Sequence, residues 1–297
     1  MLRTKELYKD TDFDIIVQAG QSNAEGFGFG ALDGLEPYVP DERILYYVHG
    51  GEMEWTDESG FWGAVFGRPH FVHEPNIILA AERRHERGIT ADFSLTFARA
   101  YVRAECLEKN RKLLIIRGAL GGSGFMGENW GLHDELYQNL CRMTDTALEM
   151  GGENRIKAVL WHQGEKETEQ STEFSDSDML RRTHYYKLRT LVDDFRFRFR
   201  LRKVPFIAGD FCHDWSDCHA GIVRPISQAI QDVCNDVGYS CFVTTEDLES
   251  NARTTEYTND TMHFSRRALY LMGERYFKAY KKLQESRNAN IDGEFAR

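Results

Sequence analysis

Short apolar runs, each closed by glycine or a polar residue and separated by stretches of helical periodicity, constrain this chain more than any other feature. Phe13 to Ala19, Lys112 to Gly118, Ile156 to Gly164 and Val204 to Asp210 are such runs, and Arg43 to Tyr47 and Tyr239 to Thr245 are weaker ones. Runs that stay apolar instead of alternating suit strands covered on both faces. Between them, apolar residues recur at helical spacing. Ala98, Tyr101, Val102 and Cys106 share a face, as do Leu136, Leu140, Met143, Ala147 and Met150. Leu188, Leu191, Val192, Phe195 and Phe199 form a third stripe, Ile222, Ile226, Ala229, Ile230 and Val233 a fourth, and Leu269, Met272, Tyr276, Tyr280 and Leu283 a fifth. Strands alternating with such helices predict an α/β domain with a mostly parallel sheet and helices on both sides.

At 297 residues with no internal repeat and no Pro- or Ser-rich linker, the chain reads as one domain over 1–297, its core spanning about 12–285. The tail after Glu285 is expected to fray. The stretch from His49 to Asp92 carries Trp55, Trp62, Pro69 and Pro75 and reads as a long aromatic loop walling a pocket. Glu165 to Asp178 is acidic and reads as a solvated loop. The basic run Phe195 to Lys203 reads as a helix end, where cations complement the dipole.

Charge narrows the partners. With 37 Lys and Arg against 47 Asp and Glu, the net charge is −10, unsuited to nucleic acid or an anionic membrane and easier to reconcile with a neutral substrate. None of the six cysteines forms a Cys-x-x-Cys pair, so zinc ribbons and thioredoxin-like sites are not indicated. The first residues, MLRTKELYKD, lack an apolar signal core, and no apolar run is long enough to span a bilayer, so a cytoplasmic location is expected unless a leader was trimmed.

Four polar stretches follow strand-like runs or precede a helix: Gly20 to Asn23, Gly118 to Phe125, Trp161 to Glu165 and Asn259 to Ser265. In a doubly wound sheet, the loops after parallel strands meet at one edge. Ser22 offers a hydroxyl that needs a base, and His263 is the candidate base. Asp260, three residues before His263, can hold the imidazole Nδ1 and fix its tautomer. Gly121 and Gly122 expose backbone N–H groups and Gln163 a side-chain amide, which with the Ser22 N–H make a candidate oxyanion hole. Each piece has a plainer reading alone. Ser22 could be a helix N-cap, the glycine pair a turn, and Gln163 a partner for buried backbone. Their predicted convergence is what favours chemistry. Glu165, at the end of another strand, competes with Asp260 as the partner of His263. Geometry favours Asp260, on the same short loop, and leaves Glu165 to orient Gln163 or the nucleophile turn.

These residues resemble the SGNH (GDSL-like) hydrolase superfamily, and more narrowly its sialate O-acetylesterase and acetylxylan esterase group, carbohydrate esterase family six. The matching blocks are Gly20-Gln21-Ser22-Asn23, Gly121-Gly122-Ser123, Trp161-His162-Gln163-Gly164-Glu165 and Asp260-Thr261-Met262-His263, with Phe97 to Tyr101 and Trp130 also in place. The resemblance implies a three-layer αβα, flavodoxin-like fold and removal of acetyl groups from a carbohydrate by a Ser-His-Asp triad, with no cofactor and no metal. Gln21 stands where the wider superfamily has Asp, and Gln163 replaces its usual oxyanion Asn; both are normal for the narrower group. The acetylated sugar, whether xylan, sialic acid or another glycan, stays open, as does any oligomeric state. Three rival readings stand beside it: a nicotinamide-dependent oxidoreductase using Gly26 to Ala31 and Glu52, a non-catalytic carbohydrate-binding protein, and a metal enzyme using His70 and His73 or Cys212, Cys218 and His219. The glycine fingerprint is displaced from the first strand by Gly20 to Asn23, a binding module needs no triad, and neither ligand set has good spacing.

Overall fold

The computed structural model describes residues 6–55, 69–169, 176–256 and 258–295. The chain enters through β1 (Asp12–Gly20) and turns at once into a single helical turn, α1 (Ser22–Glu25). β2 (Ile44–Trp55), β3 (Pro69–Leu79), β4 (Arg83–His85) and β5 (Gly88–Thr90) follow. Next come α2 (Phe93–Arg103), β6 (Arg111–Arg117), α3 (Glu135–Leu148), β7 (Arg155–His162), α4 (Glu165–Glu169) and α5 (Ser177–Arg198). The chain ends with β8 (Phe206–Gly209), α6 (His213–Ser216), α7 (Ala220–Asp236), β9 (Ser240–Val243), α8 (Asn251–Thr254) and α9 (Arg266–Phe295).

Seven strands form one sheet in the order β3-β2-β6-β1-β7-β8-β9, parallel throughout except for β3. Period-two alternation splits β1 between two cores. Phe13, Ile15, Val17 and Ala19 join Leu140, Leu188, Ile226 and Ile230 of α3, α5 and α7 on one face. Ile16 joins Phe93, Phe97, Leu269 and Tyr276 of α2 and α9 on the other. The result is the expected three-layer αβα arrangement, and it explains why the strands are apolar on both faces. The sheet grows from β1 first towards β6 and β2, then crosses back over β1 to β7, β8 and β9. Such a reversal leaves a crevice at the carboxyl ends of the strands beside it, here β1, β6 and β7.

Three expectations need correction. The described part of the 49–92 stretch is mostly strand: β2 and β3 pair antiparallel, with Trp55 opposite Pro69, and β4–β5 is a small hairpin. Pro69 and Pro75 are tolerated because β3 is the sheet's edge, where a missing N–H breaks no inner ladder. Trp62 lies outside the described residues. Glu165 to Asp178 is not simply a solvated loop, because α4 begins at Glu165 and buries Glu165, Lys166 and Glu167. Beyond Glu285 the backbone continues as helix to Phe295. The basic run does end a helix, α5.

Candidate active site

The nucleophile turn rests on one close approach. Gly20 has φ +138°, and a Cβ built there would lie 2.0 Å from the His162 carbonyl oxygen of β7. Glycine lets β1 press against β7 and turn, and the Gln21 N–H then donates to that same carbonyl at 3.0 Å. Gln21 is folded over the start of α4: its Oε1 accepts from the Lys166 N–H at 3.1 Å. Gln21, not Ser22, occupies the N-cap position of α1 and makes no side-chain cap bond. The helix-cap reading of Ser22 therefore fails, and its hydroxyl is left for other work.

That hydroxyl meets His263. Ser22 Oγ lies 2.9 Å from His263 Nε2, and His263 Nδ1 lies 2.8 Å from Asp260 Oδ1. The residues are 241 positions apart in the chain and come together at the carboxyl end of β1. The second Asp260 oxygen accepts from Asn251 Nδ2 at 2.9 Å and lies 3.8 Å from Arg87 Nη1. Burial raises the Asp260 carboxyl, and the bonds from His263 and Asn251 more than reverse this, holding it below the usual carboxylate range. The Phe27 ring stacks on His263 at 5.7 Å, with His85 of β4 against Phe27 in turn.

The candidate oxyanion groups are placed less simply. Gly121 sits beside the nucleophile, since a Cβ built on it would lie 3.7 Å from Ser22 Cβ. Its N–H, however, donates to Glu25 Oε2 at 2.7 Å. Gly122 follows with φ +72°. Ser123 Oγ donates to the Leu120 carbonyl at 2.7 Å and accepts from Trp130 Nε1 at 2.9 Å, which locks the turn. Gln163 is fully buried, and its Nε2 donates to Glu167 Oε2 at 2.5 Å and faces Gln21 Oε1 at 3.3 Å. Its amide is thus bonded to Glu167 and Gln21, where the sequence reading gives it a direct role at the oxyanion. Glu167 Oε1 accepts from the Phe125 N–H at 2.5 Å, tying the glycine turn to α4. Burial raises the Glu167 carboxyl despite these bonds.

Glu165 does not touch His263. Its Oε1 accepts from Asn23 Nδ2 at 2.8 Å and lies 3.6 Å from His162 Nε2. Burial pushes this carboxyl up, but His162 and Asn23 outweigh burial and hold it low. The competition between Asp260 and Glu165 for the imidazole is resolved by contact in favour of Asp260.

Sequence reasoning missed Asn251, Arg87, Phe27 and Glu167. Asn251 and Arg87 belong to no motif block, and the two others lie a few residues past one, with nothing in their spacing to mark them. The rival glycine fingerprint, Gly26 to Ala31, opens no helix; Gly26 instead ends α1 in a left-handed conformation. No helix among the described residues is long and apolar enough to cross a membrane.

Residues 12–282 match the profile of the family described as carbohydrate esterase, sialic acid-specific acetylesterase. No curated protein matches the chain in sequence. Among solved structures, NanS superposes with a TM-score of 0.70 at 19% identity, over 94% of this chain and 99% of that one. A protein from Arabidopsis thaliana gives 0.62 at 17% identity, over 91% and 98%. A carbohydrate acetylesterase from Xanthomonas citri gives 0.53 at 13% identity, over 91% of this chain and 56% of that one. At these identities the structures speak for the fold, and the family profile for the chemistry.

Proposed function

The chain belongs to the carbohydrate esterase, sialic acid-specific acetylesterase family and is an acetyl-ester hydrolase, and from that premise we propose that Ser22, His263 and Asp260 are its catalytic triad. The observation that carries the reading is the unbroken path from Ser22 Oγ to His263 Nε2 at 2.9 Å and from His263 Nδ1 to Asp260 Oδ1 at 2.8 Å. Ser22 attacks the ester carbonyl as His263 Nε2 takes its proton. Asp260, held anionic, keeps the imidazole proton on Nδ1 and stabilises the imidazolium. The tetrahedral oxyanion is received by the N–H groups of Ser22 and Gly122, since that of Gly121 is held by Glu25 Oε2. Gln163 supports that turn from beneath through Gln21 and Glu167. The intermediate then collapses, breaking the bond to the sugar oxygen, which His263 protonates as it leaves as a hydroxyl, and acetyl-Ser22 remains. Water, deprotonated by His263, attacks this ester and releases acetate.

The substrate is an O-acetylated carbohydrate, of the acetylxylan kind or an O-acetyl sialate, hydrolysed by one esterase domain. Ser22→Ala is expected to lower kcat on an aryl acetate by about 10⁴–10⁶. A serine-directed phosphonate should add once, at Ser22. Retention of activity in the alanine variant, or labelling elsewhere, refutes the triad. Acetate release from acetylated xylo-oligosaccharides and from O-acetylated sialic acid separates the two substrates.

A further inference from the structure

One buried side chain beside the nucleophile has no part in that chemistry. Asn23 follows Ser22 directly and is fully buried. Its Oδ1 accepts from the Phe264 N–H at 3.0 Å, and its Nδ2 donates to the Met262 carbonyl at 3.2 Å. Those two residues flank His263. The same Nδ2 donates to Glu165 Oε1 at 2.8 Å. The amide cannot be turned over, because one side faces an N–H and the other a carbonyl and a carboxylate. One planar group thus joins the nucleophile turn, both neighbours of the base, and the start of α4.

The His263 loop has other anchors, some crossing to the segment after α1 through Arg266 N–H to the Phe29 carbonyl and through Asn251 to Phe27 and Phe29, and others from its own side. Asn251 N–H donates to the His263 carbonyl at 2.9 Å, Ala252 N–H to the Asp260 carbonyl at 3.0 Å, and Ser265 N–H to the Glu249 carbonyl at 2.8 Å. These bonds tie the loop to α8 and its approach. They do not fix how far His263 stands from Ser22. The contact nearest to both, one residue from each, is Asn23. Glu165 holds the other end: a carboxylate accepts a shorter, stronger bond than a neutral amide and so pins the plane of Asn23.

We propose that Asn23, backed by Glu165, is the positioning residue that sets the Ser22–His263 hydrogen bond, a role that rests on the triad reading above. Asn23 touches neither substrate nor transferred proton. It acts through the register of two loops, where an error of about 1 Å lowers the rate by about 10²-fold.

The test is a double-mutant cycle on an aryl acetate with Asn23→Ala, Glu165→Gln and the pair, with thermal melts for each. Asn23→Ala is expected to lower kcat by about 10²-fold, with KM within about twofold, because ground-state binding is untouched. The second-order rate of phosphonate addition to Ser22 should fall in parallel, since it needs the same activated hydroxyl. Glu165→Gln should lower kcat by about tenfold, and the pair should be no worse than Asn23→Ala alone, since both act through one amide. Multiplying effects, a loss confined to KM, or a folded Asn23→Ala within about threefold of the parent overturn the proposal. Should Asn23→Ala fail to fold, Asn23→Ser and Glu165→Gln carry the same cycle. Activity surviving in Ser22→Ala removes the triad and this proposal together. An inactive Ser22→Ala beside an active Asn23→Ala removes this proposal alone.

Discussion

Replacing Asp260 by Asn gives a prediction whose direction is dictated by neighbouring atoms. An asparagine at 260 could turn either its oxygen or its NH₂ towards His263. Asn251, with the Arg87 cation on the same side, outweighs the longer 3.3 Å bond from the His263 backbone N–H to Asp260 Oδ1 and decides which. Its Oδ1 already accepts from the Phe29 N–H at 2.8 Å, and its Nδ2 donates to the Phe27 carbonyl at 2.8 Å, so it cannot turn over. It therefore presents a donor to position 260, as it does to Asp260 Oδ2 at 2.9 Å. The new amide must aim its oxygen at Asn251 and its NH₂ at His263 Nδ1. Nδ1 then becomes an acceptor, the ring proton moves to Nε2, and Nε2 no longer has a lone pair for the Ser22 proton. The same error of tautomer lowers kcat about 10⁴-fold in the serine-protease case, equivalent to about 5 kcal/mol in the barrier. The expected loss for Asp260→Asn is of that order, far beyond that for Glu165→Gln. The assay is kcat on one aryl acetate, with thermal melts to confirm folding. A second-site change sharpens it. Asn251→Asp offers an acceptor where Asn251 offered a donor, so the Asp260→Asn amide turns over and faces His263 with its oxygen. The double variant should then exceed Asp260→Asn by roughly tenfold or more, recovering part of the tautomer loss. A single Asp260→Asn within about tenfold of the parent, or no recovery in the double variant, refutes the tautomer reasoning.

Two further outcomes follow from buried groups. Gln163→Ala strips a donor from the buried Glu167 carboxyl, which should lower stability by about 1–3 kcal/mol and the melt by several degrees along with kcat; a loss of 10²–10³ in kcat with an unchanged melt would instead put this amide on the oxyanion. His184 is buried among apolar neighbours, which pushes its imidazole down from 6.5 to about 3. The unfolded chain takes up this proton first, so stability is lost as pH falls from about 6.5 towards 3, by at most about 5 kcal/mol. His184→Leu should flatten that part of the melting-temperature profile, and an unchanged profile would mean that His184 is not held neutral.

What could be read from residues alone tracks how each position is buried. β1, β6, β7 and β8 were legible because a strand covered on both faces is apolar along its length. Of the β2–β3 pair only Arg43 to Tyr47 was, since His49, Glu52, Glu54, His70 and two prolines mask an antiparallel edge whose side chains need not be apolar. Glu165 and Glu167 look like solvated carboxylates, as most glutamates are. Their burial depends on Asn23, Gln163 and Phe125, all distant in sequence. Ser22, Asp260 and His263 were findable because the motif blocks carry them. The direction of Gln163 was not, because a residue at a strand end can face the crevice or the interior. Asn251 lies nine residues before Asp260 with no block around it, so its grip on the carboxylate needed coordinates.

The 241-residue separation of Ser22 and His263 also has a consequence in time. Ser22 leaves the ribosome on the first strand–turn unit, whereas His263 emerges just ahead of α9. At about 5–20 residues per second, translation separates them by roughly 12–48 s. Throughout that interval the nascent chain carries Ser22 with no base beside it. The His263 loop is moored by α9, whose Arg266 N–H donates to the Phe29 carbonyl at 2.8 Å. On the proposed triad, ester hydrolysis switches on only when the last helix docks, and the appearance of activity during synthesis or refolding clocks the closing step of assembly, not the early collapse of the sheet.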